Sequence, residues 1–146
     1  MRINGEWLLC QDGDIRPVIA GTILGGDGVW RTLPFLVDTG ADRTDISTDV
    51  LVESSLPAVV ADRVVGGIGG IVATVAIDAQ LRFARDDGER ITFRGRFAAC
   101  TQLEALDMSI LGRDILDMFA LVIDRPSDVV AILGGQHRCS IQHGPS

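Results

Sequence analysis

Apolar and polar residues alternate with period two over long stretches of this chain, and that pattern predicts strands rather than helices. The clearest case runs from Ile71 to Phe83. Ile71, Ala73, Val75, Ile77, Ala79, Leu81 and Phe83 share one face, and Thr74, Asp78, Gln80 and Arg82 fall on the other. Asp86-Asp87-Gly88 then reads as a turn, and Ile91, Phe93, Phe97 and Ala99 carry a strand back. Upstream, Glu6–Leu9 is a short apolar patch, Asp12-Gly13-Asp14 a turn, and Pro17–Leu24 and Val29–Val37 two strands joined by Gly25-Gly26-Asp27-Gly28. That glycine cluster has no Lys-Ser/Thr after it and no following helix, which makes it a hairpin turn and not a phosphate loop.

Helical signals are few. Ser47 followed by Thr48-Asp49 offers an N-cap and an acid for a short helix that Pro57 would end. Arg113–Phe119 fits about two turns after the apolar strand Met108–Leu111. Ala120–Asp124, the turn Arg125-Pro126-Ser127-Asp128 and Val129–Leu133 make a closing hairpin. Thr101–Asp107 reads as a connecting loop. The expected organisation is one domain over residues 1–135 with a polar tail over 136–146.

Composition narrows the class. A chain of 146 residues, 47% hydrophobic and 23% charged, can bury a core and is not disordered in character. The net charge of −7 disfavours a general nucleic-acid binder. No apolar run approaches the ~20 residues needed to span a bilayer. The first residues carry no apolar leader. Cys10, Cys100 and Cys139 are few and widely spaced, which suits free thiols in a reducing compartment. A cytoplasmic protein without membrane or nucleic-acid partners is the resulting expectation. His137, Cys139 and His143 give only three candidate ligands on a polar tail, so no metal is expected there.

The candidate chemistry lies where the strand Val29–Val37 ends in Asp38-Thr39-Gly40-Ala41-Asp42. A carboxylate beside so much apolar surface is costly unless it is hydrogen-bonded, paired or put to use. From the residues alone, Asp38 fits either a turn acid capping its own backbone or a catalytic group. Two further motifs follow: Gly66-Gly67-Ile68-Gly69-Gly70 between apolar strands, and Ile110-Leu111-Gly112-Arg113-Asp114 where a strand breaks into a helix.

These three motifs, in this order over about Phe35–Phe119, resemble the retropepsin family, the single-domain aspartic proteases that include the retroviral enzymes. The resemblance implies an all-β fold: a closed acid-protease β-barrel with a flap hairpin and one short helix near the C-terminus. It makes Asp38, Thr39 and Gly40 the catalytic loop, with Thr39 bonding across the dyad. Substrate contacts are implied at Ala41, Asp42, Gly66, Gly67, Ile68 and Ile110, and Arg113 supports the loop by pairing with Asp42. That pair reads equally as a purely structural one, and both roles can hold together. Leu36, Val65, Ile71 and Ile110 are implied around the substrate, though each is as plausibly core.

Aspartic proteolysis needs two carboxylates sharing one proton around a water, because like charges about 3 Å apart cannot both ionise cheaply. The chain has one Asp-Thr-Gly, so the second carboxylate must come from a second copy across a two-fold axis. The expectation is a C2 homodimer, an endopeptidase hydrolysing extended polypeptides without metal or cofactor. The alternative is a non-catalytic peptide-binding or dimerisation domain of the same fold. The hairpin and polar tail after the helix, and Arg43 beside Asp42, depart from the viral pattern.

Overall fold

The computed structural model describes residues 1–67, 70–100 and 108–135, and for residues 60–67 and 70–73 the backbone only. Among the described residues eleven strands and two short helices follow one another: β1 (Arg2–Asn4), β2 (Glu6–Leu9), β3 (Ile15–Leu24), β4 (Trp30–Val37), β5 (Asp45–Ile46), α1 (Thr48–Glu53), β6 (Ala58–Gly67), β7 (Gly70–Ala84), β8 (Arg90–Cys100), β9 (Ser109–Leu111), α2 (Arg113–Leu116), β10 (Ala120–Asp124) and β11 (Val129–Leu133). The tip of the glycine hairpin with Ile68, the loop at 101–107 and the tail at 136–146 with His137, Cys139 and His143 lie outside the described residues.

Period-two burial organises the core. Ile19, Ile23, Leu33, Phe35, Ile77, Leu81 and Phe83 are buried from alternate positions of β3, β4 and β7. Phe35, Phe83, Phe93 and Phe119 form a chain of tilted and edge-on ring contacts with centroids 5.5–6.0 Å apart, within the favourable aromatic range. Gly21 is required in that layer: a Cβ there would come within 2.7 Å of the Phe83 ring and 3.0 Å of Phe35.

Eight strands form one sheet in the order β2-β3-β4-β9-β5-β8-β7-β6, and β1-β11-β10 form a separate small sheet. The expected closed barrel is not what forms. β2 and β6 end the large sheet as edges, and they do not pair with each other. A contact between the interior strands β3 and β7, Thr22↔Arg82 and Ile23↔Leu81, bends the sheet over on itself without joining its ends. Twist accumulates along strands, and β3, β7 and β8 run for 10, 15 and 11 residues, long enough for it to bend the sheet. The architecture is mixed and dominated by strands, and α1, signalled at Ser47–Asp49, forms in addition to the one short helix that the resemblance implies.

Other expectations shift in detail. The α2 helix spans four residues, not seven, because Met118 and Phe119 continue in tight turns that turn the Phe119 ring onto Phe93. The Ser47 hydroxyl does not cap α1. Instead Ser47 N–H donates to Ser109 Oγ at 3.0 Å, so the buried serine ties α1 to β9. Thr74 and Ala76, on the face expected to be polar, are buried, so β7 is covered on both faces there. The closing hairpin forms at the expected residues, Ala120–Asp124 against Val129–Leu133.

Candidate active site

Two neighbouring strands running in parallel create the site. β4 and β9 pair through Phe35↔Ser109, Leu36↔Ile110 and Val37↔Leu111, and the chain leaves β4 at Asp38 beside the point where β9 turns into α2. The parallel pairing continues past the strand end, with Asp38 N–H donating to the Leu111 carbonyl at 3.2 Å. Asp38 Oδ1 then accepts from Gly40 N–H at 2.9 Å, and Ala41 N–H returns to the Asp38 carbonyl at 3.3 Å. Asp38 is therefore a turn acid that caps its own backbone, and the cap leaves the second carboxylate oxygen uncommitted among the described residues. No cation pairs with it there.

The loop is clamped from its far side. Arg113 N–H donates to the Ala41 carbonyl at 2.9 Å and Asp114 N–H to the Asp42 carbonyl at 3.2 Å. The Asp42 carboxylate pairs with the Arg113 guanidinium, both side chains solvent-exposed. Beneath them, Asp114 Oδ1 accepts from Thr44 Oγ1 at 2.7 Å, from Thr44 N–H at 2.9 Å and from Ile115 N–H at 2.9 Å. Thr44 Oγ1 in turn accepts from Gly112 N–H at 3.1 Å. Thr44 is fully buried, so its hydroxyl depends on this network. Gly112 is fixed by contact: a Cβ there would lie 2.3–2.4 Å from the Arg43 backbone carbonyl group.

Asp38, Thr39, Gly40, Ala41, Asp42, Ile110 and Arg113 are thus brought together by β4, β9 and α2. Thr39 and Gly40 are exposed at the turn, and Ile110 is half-buried beside Leu36. Gly66 and Gly67 pair with Ile71 and Gly70 at the end of the β6–β7 hairpin, apart from this cluster in its hydrogen bonding. Ile68 lies outside the described residues. Among those residues no group of His, Cys, Asp or Glu is arranged to hold a metal ion.

Three residues of the site are given no role by the sequence reading. Asp114 and Thr44 hold the loop from below; Asp114 stands in the Ile110–Asp114 motif without a role of its own, and Thr44 carries no signal. The third is Asp45, in β5. Burial pushes its carboxyl up to about 6, against the opposing effect of a hydrogen bond from Cys100 N–H. Its Oδ1 is buried with no hydrogen-bond partner.

The chain was compared with known proteins. A family model described as retroviral aspartyl protease matches residues 14–124, from before β3 to the end of β10. The solved structure of the EIAV protease complexed with the inhibitor HBY-793 is similar at 27% identity and a TM-score of 0.51, covering 70% of this chain and 86% of that one. The crystal structure of a retropepsin-like aspartic protease from Rickettsia conorii is similar in fold at 18% identity and a TM-score of 0.56, covering 90% of each chain. No curated protein sequence matches.

Proposed function

The chain belongs to the retroviral aspartyl protease family, and on that premise we propose that it is a homodimeric aspartic endopeptidase cleaving extended polypeptides. The observation that carries this reading is the Asp38 loop. It presents a carboxylate with one oxygen held by Gly40 N–H, no cation paired with it among the described residues, and a backbone fixed by Leu111, Arg113 and Asp114. Rigid placement of this kind is what an acid–base group needs, because a small misplacement of reacting atoms is costly in rate.

Two copies of Asp38, one per subunit, share one proton. The deprotonated carboxylate takes a proton from a water between them as that water attacks the scissile carbonyl carbon. The protonated partner donates a hydrogen bond to the carbonyl oxygen and then a proton. Collapse of the tetrahedral species breaks the C–N bond as the carboxyl that took the water's proton passes it to the amine nitrogen, and a gem-diol hydroxyl returns its proton to the other carboxylate. Thr39 bonds between the two loops, Gly40 and Asp42 contact the peptide backbone, and Arg113 keeps Asp42 in place. The β6–β7 hairpin, with Gly66, Gly67 and Ile68, covers the substrate and hydrogen-bonds its extended backbone as an added strand.

The test is cleavage of a diverse peptide library between about pH 3.5 and 7.5, a window bracketing the upper apparent pKa of a carboxylate dyad. Wild type is run beside Asp38→Asn, with oligomeric state followed by sedimentation. Cleavage by wild-type dimer and none by the variant supports the reading; equal cleavage by both sinks it. A folded dimer that binds peptides and cleaves none would instead identify a binding domain of this fold.

A further inference from the structure

A single row of side chains crosses the sheet next to the catalytic loop. Register pairs Leu36 with Ile110 and Ile110 with Asp45, and Asp45 in turn with Ala98. Directly paired residues project from the same face of a sheet. Leu36, Ile110 and Asp45 are each half-buried, whereas their neighbours along the strands, Phe35, Val37, Ser109, Leu111, Thr44 and Ile46, are buried in the core on the opposite face. Asp38 lies two residues beyond Leu36 on the same strand. The half-open row therefore leads from the catalytic loop to Asp45, two strand spacings away, or about 10 Å. Past Asp45 the row closes over at Ala98, which is buried.

Asp45 is an unusual member of such a row. One oxygen faces the Cys100 N–H, and Oδ1 is buried without a partner. No arginine, lysine or histidine pairs with it among the described residues. Burying an acceptor in this way costs free energy, and the cost is repaid only when a donor arrives. A site built around an unpaired polar group discriminates sharply between a ligand that satisfies it and an isostere that does not.

We infer that Asp45 is a specificity-determining residue of this site, its carboxylate selecting a basic side chain, arginine or lysine, in the substrate. The inference rests on the endopeptidase reading for its geometry. A two-fold pair of subunits sets one Asp45 on each side of the scissile bond. At about 3.3 Å per residue of extended peptide, each copy meets a residue within about three positions of that bond. Leu36 and Ile110 line the row between, so the residues nearer the bond meet apolar surface.

The test reads binding, not turnover. Uncleavable peptides carrying a reduced amide at the scissile position are titrated against the 146-residue chain. Arginine, lysine, citrulline and norleucine are placed in turn at each of three positions on either side. Citrulline matches arginine in shape and lacks its charge. The wild type is expected to bind arginine over citrulline by about 10-fold or more at one position on each side, the range of a charge-assisted hydrogen bond. Asp45→Asn and Asp45→Val are expected to reduce that ratio to within about 3-fold, and Asp45→Val to favour norleucine. Asp45→Asn keeps the side-chain shape, so it serves if the valine variant folds poorly. Equal binding of arginine and citrulline everywhere, or a ratio that survives in both variants, overturns the inference. If the ratio holds while the ordinary amide of the tightest binder stays uncut, the endopeptidase reading fails and Asp45 stands as a selector. Absence of binding by every peptide overturns both.

Discussion

At Asp12, Asp27 and Asp87 a carboxylate oxygen accepts the amide hydrogen two residues further on, at 3.0–3.1 Å, and a glycine with positive φ completes the turn. Asp38 makes the same bond, to Gly40, at 2.9 Å. Beyond that bond the four turns part ways. In the three hairpin turns an arginine reaches the carboxylate: Arg16 to Asp12, Arg31 to Asp27, Arg85 to Asp87. The Arg16 guanidinium holds the Asp12 carboxyl at about 2, and Arg31 lowers Asp27 further. For Asp87 the backbone bond from Glu89 leads the same downward shift. At Asp38 no such cation exists among the described residues, and the space behind the turn is taken by the strand-to-helix corner Leu111–Asp114. Local turn chemistry is shared; what differs is whether the carboxylate is neutralised by its own hairpin or held bare by a distant segment.

The sharpest way to break that comparison is to exchange the acids for amides. Asp38→Asn should lower kcat/KM on the best library peptide by about 10³-fold or more, a loss at the upper end for a proton-transferring group, while Asp27→Asn leaves it within about twofold. If both variants lose activity equally, the turns are not functionally distinct. The clamp comes next. Asp114→Ala leaves the buried Thr44 hydroxyl and amide without their acceptor and should cost about 2 kcal/mol in urea unfolding, with a fall in kcat that Asp114→Asn partly restores.

A third experiment uses Asp45, a half-buried acid with no cation partner among the described residues. Because the folded-state pKa of Asp45 is raised to about 6, the folded protein holds more protons than the unfolded chain between about pH 6 and pH 4. This group therefore destabilises the fold at neutral pH, and the penalty disappears as the pH falls through that window. Asp45→Asn should add about 1–2 kcal/mol at pH 7, the shift discounted for partial exposure, and nothing at pH 3.5. Equal gains at both values would remove the ionisation from the explanation. The smallest effect is expected at the exposed pairs: Arg31→Gln should leave both the urea midpoint and cleavage essentially unchanged.

How much of this was legible in the sequence follows from how local each feature is. Period-two alternation located β3, β4, β7 and β8, and turn residues bounded the β10–β11 hairpin, since both signals sit within a few residues. β1 and β5, with three and two residues, are too short to show a period. The parallel pairing of β4 with β9 and the openness of the sheet depend on which distant strands meet, and no local pattern encodes that. In the site, the three motifs pointed to Asp38, Asp42 and Arg113. The bond between Asp114, already in the third motif, and Thr44 stayed hidden because it joins residues 70 apart. Asp45 stayed hidden because an acid between Thr44 and Ile46 reads as a solvated position until its strand partners are known.

That same separation along the chain bears on when the protein acquires its chemistry. Every contact that fixes the Asp38 loop from outside, to Leu111, Arg113 and Asp114, spans some 70 residues. Closing so large a loop is slow relative to forming the hairpins, each of which joins near neighbours. During synthesis the amino-terminal hairpins can be in place while the aspartate still lacks its backing, because residues 111–114 have yet to be made. The shape of the Asp38 loop is accordingly the product of a late, long-range closure, and on the reading proposed above catalysis would wait for it.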